Sequence, residues 1–106
     1  QLGDSIVKQE VVVISGASRG IGAATARLLA AKGYRLALLA RNMNDLQRLA
    51  EETGLPSTQF LLMEVDLAHT DGLKAVIAQV LTQFGRIDVL VNNAGIGKFG
   101  PMEQIN

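Results

Sequence analysis

Four short apolar runs alternate with three helix-like stretches along this chain, and that alternation restricts the fold more than any other feature. The runs are Val11 to Ile14, Leu36 to Leu39, Phe60 to Met63 with a continuation to Val65, and Ile87 to Val91. They are nearly continuous in apolar character, as strands covered on both faces should be. Strand, helix, strand repeated in this way gives right-handed crossovers and a parallel sheet. The expected architecture is therefore α/β: a Rossmann-type three-layer fold, with a partial parallel sheet of order 3-2-1-4 and three helices.

The helical stretches carry their own end signals. The first runs from about Gly20 to Lys32, stops at Gly33, and places Ile21, Ala24, Leu28 and Ala31 on one face. The second starts near Asn42, a good N-cap with Asp45 three residues on, and stops at Gly54-Leu55-Pro56. The third starts at Thr70 with Asp71 in its first turn and stops at Gly85. Its Leu73, Val76, Ile77, Val80, Leu81 and Phe84 follow the spacing of one buried stripe. A glycine follows each helix, where a left-handed C-cap is wanted.

Composition narrows the function classes. The 106 residues suffice for one small domain, and the 48% apolar but only 4% aromatic content suits an aliphatic core. Basic and acidic residues balance at 10 each, so no cationic surface invites nucleic acid or an acidic membrane. The lack of cysteine removes disulfides, thiolate catalysis and Cys-metal sites, and no metal site is expected. No signal core or bilayer-length apolar run occurs, so a cytoplasmic protein is the default expectation.

Gly16, Gly20 and Gly22 follow the first strand and open the first helix. A helix N-terminus offers free N–H groups and a partial positive charge, which together favour a phosphate. A side chain at Gly16 or Gly20 would obstruct the turn or the approach of a pyrophosphate. Gly22 would let the helix pack close to the sheet. Ser15 and Ser18 add hydroxyl groups. The alternative is a tight turn that holds no ligand. The spacing is not that of a P-loop, and no Gly-Lys-Ser/Thr follows.

A dinucleotide site reads its adenosine ribose about 20 residues past such a turn, usually with a carboxylate when the cofactor is NAD. Here the second strand ends Leu39-Ala40-Arg41-Asn42, without a carboxylate. Arg41 is placed to meet a 2′-phosphate, and Arg19 in the glycine turn could meet it from the other side. The bland alternative is two solvated arginines. The pair favours NADP(H) over NAD(H).

Ser15 to Gly22 resembles the TGxxxGIG motif of short-chain dehydrogenases/reductases, with Ser for the usual Thr, and Asn92-Asn93-Ala94-Gly95 matches that family's NNAG motif. Asp66-Leu67 is similar to the family's acidic position that touches the adenine. The resemblance covers all but about the first ten residues. It implies that the backbone of Ser18, Arg19, Gly20 and Ile21 cradles the pyrophosphate and that Ser15 ties strand 1 to the Asn93-Ala94 backbone. It also implies that Asp66 receives the adenine amino group, with Leu67 giving a backbone contact. Asn92 and Asn93 would stitch the sheet and line the ribose, and Gly95 would let the backbone approach the cofactor. As an unaided signal, Asn92-Asn93 could equally be a strand-ending turn.

The family's chemistry uses a Tyr-x-x-x-Lys pair, a Ser and an Asn that lie beyond the NNAG strand. Tyr34, the one tyrosine, has Leu38 four residues on and falls at the start of strand 2, away from the expected cofactor. Asn106 comes too soon after NNAG to be the family's Asn, and His69 reads as a solvated loop residue. No catalytic residue is assigned. Residues 1–106 are thus expected to form the cofactor-binding N-terminal part of a longer reductase, with strand 4 left as an unpaired sheet edge bearing Val89 and Val91. The parent would transfer hydride between NADP(H) and a carbonyl or alcohol substrate, and would be a homo-oligomer. A stand-alone NADP(H)-binding or sensor module is the second reading. A receiver-like signalling domain fails, because the first strand ends in Ser15-Gly16-Ala17 where that site needs clustered carboxylates.

Overall fold

The computed structural model describes residues 9–66, 70–93 and 103–104. In chain order the elements are β1 (Val11–Ser15), α1 (Gly20–Ala31), β2 (Arg35–Ala40), α2 (Met43–Thr53), β3 (Phe60–Glu64), α3 (Thr70–Phe84), β4 (Val89–Asn92) and β5 (Glu103–Gln104), with a 3-10 turn at Ser57–Gln59. The sheet order is β3-β2-β1-β4-β5. The first four of these strands run parallel, and β5 is antiparallel to β4. The doubly wound order expected from the alternation of runs is thus present.

Side chains leave a strand on alternate faces, so each strand feeds two cores. Val12, Ile14, Leu36 and Leu38 face α1 and α2, meeting Ala23, Ala26, Ala30, Leu46 and Leu49. Val11, Val13, Ala37 and Leu39 face the other way, against Val76 and Val80 of α3. Burial on both faces explains why the strands read as unbroken apolar runs. Each fully buried Leu or Val stabilises the fold by about 1.5–3 kcal/mol before chain entropy is counted.

One feature goes beyond the sequence expectation and another differs from it. The larger apolar face of α1 points outward: Ile21 is 75% and Leu28 58% exposed, while Gly22, Ala23, Ala26 and Ala30 are buried. These two sets lie on opposite sides of the helix. Gly22 holds the start of α1 against the glycine turn, and the small residues Ala23, Ala26 and Ala30 lie against the sheet, with Leu29 packed at the margin of the core. Ile21, Ala24, Leu28 and Ala31 do share one face, and all four are exposed. In α3, the expected stripe holds at Val76 and Val80, but Leu81 is 45% exposed.

The feature that differs is the outer edge of β4. It was expected to be bare, yet Val89 pairs with Gln104 and Leu90 with Glu103. Unpaired backbone groups gain by finding any partner strand, and a two-residue return of the chain provides one. Val91 is buried in the core.

Polar anchors close the end of the sheet farthest from the glycine turn. Buried Gln59 donates from Nε2 to Ala30 O at 3.0 Å and Tyr34 O at 2.9 Å, satisfying a carbonyl at the end of α1. Asp88 Oδ2 accepts from Val11 N–H at 2.8 Å, and Arg86 grips both carboxylate oxygens at 2.9 and 2.6 Å. The Arg86 hydrogen bonds hold the Asp88 carboxyl below the usual aspartate range, and the Val11 N–H adds to that effect.

Candidate functional site

The C-terminal ends of β1, β2, β3 and β4 lie side by side, and the sequence-selected residues collect there. Gly16 to Arg19 form the turn after β1, and Gly20, Ile21 and Gly22 open α1. Arg41 follows β2, Asp66 follows β3 by two residues, and Asn93 follows β4. Leu67, His69, Ala94 and Gly95 lie outside the described residues. Tyr34 precedes β2 at the opposite end of the sheet, where it packs against the core beneath α1 and α2.

Ser15 is the hub of this end. It is 2% exposed, and its Oγ accepts from Asn93 N–H at 2.9 Å. Its hydroxyl donates toward Asn92 Oδ1 at 3.1 Å, with Val91 O farther off at 3.4 Å. One small side chain therefore couples the ends of β1 and β4. The turn is also tied to β2, because Ala17 N–H donates to Leu39 O at 3.1 Å.

The glycines divide their roles. A Cβ on Gly22 would lie 2.2 Å from Gly16 O and 2.5 Å from Asn93 Nδ2, distances that real Cβ atoms do not adopt. Gly22 thus permits the contact between helix, turn and β4. A Cβ on Gly20 would meet nothing within 4 Å, and its φ is +49°. That position is set by backbone conformation, with open space beside it for an incoming group.

The two helix starts facing this end are unlike. At α1, the N-cap residue Arg19 gives no side-chain cap, and the first turn holds no acid. Its leading N–H groups and the positive end of the helix dipole face outward, a setting that favours an anion. At α2, Asn42 Oδ1 accepts from Asn44 N–H at 2.9 Å and Asp45 N–H at 3.3 Å. Glu64 Oε1 accepts from Met43 N–H at 2.9 Å. One helix start is open and the other is closed by the protein's own oxygens.

Glu64 was not singled out from the sequence. The strand order does put the last residue of β3 beside the end of β2, where Glu64 pairs in register with Ala40. An acidic residue at that strand end was the available signal.

Arg19 and Arg41 are both exposed, and neither forms an ion pair among the described residues. Between α1 and α2, next to Ser18, lies an open groove lined also by Arg27, Asp45, Arg48, Leu49 and Glu52. Its charges are matched internally, Arg27 with Glu52 at 3.0 Å and Arg48 with Asp45 at 3.5 Å. The groove thus offers less to an anion than the open start of α1. Among the described residues no helix is long and apolar enough to cross a membrane.

An open helix start after the first strand of a doubly wound sheet, with the other strand ends gathered around it, defines the class of nucleotide-binding α/β proteins. Comparison with known proteins narrows this to one family. The family model for short chain dehydrogenases matches residues 10–106. An uncharacterized oxidoreductase of Staphylococcus saprophyticus is 42% identical over 90 residues, covering 85% of this chain and 36% of that protein. The 11-beta-hydroxysteroid dehydrogenase A of Sesamum indicum is 39% identical over 100 residues, covering 93% of this chain and 29% of that one. Among solved structures, a metagenomic short-chain oxidoreductase in complex with NADP superimposes with a TM-score of 0.77 at 44% identity, covering 89% of this chain and 42% of that chain. A short chain dehydrogenase from Bacillus anthracis gives 0.77 at 35% identity, covering 81% and 34%. The chain belongs to the short-chain dehydrogenase/reductase family. It spans about a third of the length of the curated relatives it matches.

Proposed function

We propose that this chain is the cofactor-holding part of an NADP(H)-dependent oxidoreductase, which transfers a hydride between the nicotinamide and the carbonyl or alcohol carbon of a small molecule. The observation that carries the reading is the open α1 start with free space at Gly20, flanked by the exposed Arg19 and Arg41. NADP-bound and NADPH-bound structures among the neighbours support it.

When bound, the nicotinamide dinucleotide would supply or accept the hydride. The residues of this chain bind and orient it. In this reading Gly16 shapes the turn, and the backbone N–H groups of Ser18, Arg19, Gly20 and Ile21 hold the pyrophosphate, replacing its water with fixed dipoles. Gly22 keeps the helix close enough for that contact. Arg41 and Arg19 hold the 2′-phosphate through charge-assisted hydrogen bonds. Asp66 accepts from the adenine amino group, and Leu67 adds a backbone contact. Asn93, with Ala94 and Gly95, lines the inner ribose on the side that Ser15 fixes.

The test is Arg41→Asp, with NADPH and NADH titrated separately by nicotinamide fluorescence. A lost charge-assisted pair is worth about 1.5–3 kcal/mol, so NADPH should bind roughly 10- to 100-fold more weakly while NADH changes little. Equal weakening of both cofactors would sink the NADP(H) assignment.

A further inference from the structure

We propose that Glu64 is a specificity-determining residue that limits how strongly the site prefers the 2′-phosphorylated cofactor, an inference that rests on the NADP(H) reading above. A carboxylate is missing from the end of β2, but the fold brings one to the same corner from the neighbouring strand. Glu64 is the register partner of Ala40, the last residue of β2. Its Oε1 accepts from Met43 N–H at 2.9 Å. Arg41 lies in the short turn between these two anchored residues, so the carboxylate sits beside the corner that carries Arg41, whose side chain is exposed.

Two consequences follow from this geometry. The Met43 N–H is already engaged, and Asn42 engages the next two N–H groups, so the first turn of α2 itself offers these three donors to no phosphate. The charge that meets the 2′-phosphate then comes from the Arg19 and Arg41 side chains rather than from the capped start of α2. In addition, the Glu64 charge repels that phosphate, which carries nearly two negative charges, whereas the 2′-hydroxyl of NAD(H) carries none. Like charges several ångströms apart in a mostly aqueous corner oppose binding by roughly fivefold.

The experiment compares the protein with its Glu64→Gln variant. Glutamine keeps an oxygen that can accept from Met43 N–H and removes only the charge. Dissociation constants for NADPH and NADH are measured by nicotinamide fluorescence at low salt and again at about 1 M salt, where the screening length falls to about 3 Å. At low salt, NADPH should bind about fivefold more tightly to the variant, with NADH unchanged within about twofold. The gain should vanish at high salt. An unchanged NADPH constant, an equal change for both cofactors, or a gain that persists at 1 M salt would overturn the proposal. Failure of the underlying NADP(H) reading would show separately, as equal weakening of the two cofactors by Arg41→Asp.

Discussion

Replacing Gly22 with alanine adds a single methyl group, and the structure puts that group inside the protein's own backbone. The new Cβ would lie 2.2 Å from Gly16 O and 2.9 Å from Gly16 C, whereas ordinary contact begins at 3.4 Å. Asn93 Nδ2, at 2.5 Å, is the end of a side chain and can swing away, but the turn carbonyl cannot. The start of α1 must therefore back off from the turn by about an ångström. That loosens the contact joining α1 and β4 beside the Ser15 hydrogen bonds. Overpacking of this kind costs about 1–3 kcal/mol, and clashes with backbone fall at the upper end. Alanine's better helix propensity recovers at most about 1 kcal/mol. A net loss of about 2 kcal/mol lowers the melting temperature of a domain this size by roughly 10 °C. Thermal denaturation followed by circular dichroism reads this directly. Gly20→Ala is the control: its Cβ meets nothing within 4 Å, and the cost is confined to the backbone at φ +49°, about 1 kcal/mol. The expected order of melting temperature is the unaltered protein, then Gly20→Ala, then Gly22→Ala. A Gly22→Ala variant that melts at or above the parent's temperature would refute the close-approach argument.

Ser15→Ala should cost about 1–3 kcal/mol in urea unfolding, because the Asn93 N–H then loses its acceptor in a place water reaches poorly. The ion pair at the far end of the sheet makes a pH prediction. Asp88 has a folded-state pKa held below its unfolded value, first by Arg86 and then by Val11 N–H. Its contribution is complete above the ordinary aspartate range, near pH 4, and is lost as pH falls through the lowered folded value. The difference in urea midpoint between the parent and Asp88→Asn should therefore narrow from about pH 6 to about pH 2. A difference that stays constant would remove Asp88 as an ionised anchor.

Residue order alone carried the element types, the strand order and the location of the candidate site. Unbroken runs such as Val11 to Ile14 can lie only where both faces of a sheet are covered, and the intervening helices force parallel crossovers. The Asn42 cap was legible because it acts on the two and three residues that follow it. Local chemistry of this kind needs no knowledge of distant neighbours. The glycine turn was legible for the same reason, since a strand running through glycines into a helix start is a contiguous pattern.

The tertiary structure decided whatever depends on how closely separate segments approach. It set the Gly/Ala side of α1 against the sheet and left Ile21 and Leu28 exposed, with Gly22 bringing the start of the helix onto the turn. It paired β4 with a strand too short to be recognised by pattern. It gave Ser15 its place between strands 77 positions apart in sequence. It also carried Glu64 to the corner beside Arg41, where a reading confined to β2 found no acid. Periodicity and capping report which conformations a segment prefers, because those preferences are fixed by nearest neighbours along the chain. Which face is buried and which charges meet is fixed by interatomic distances across the fold, and those exist only once the segments are packed.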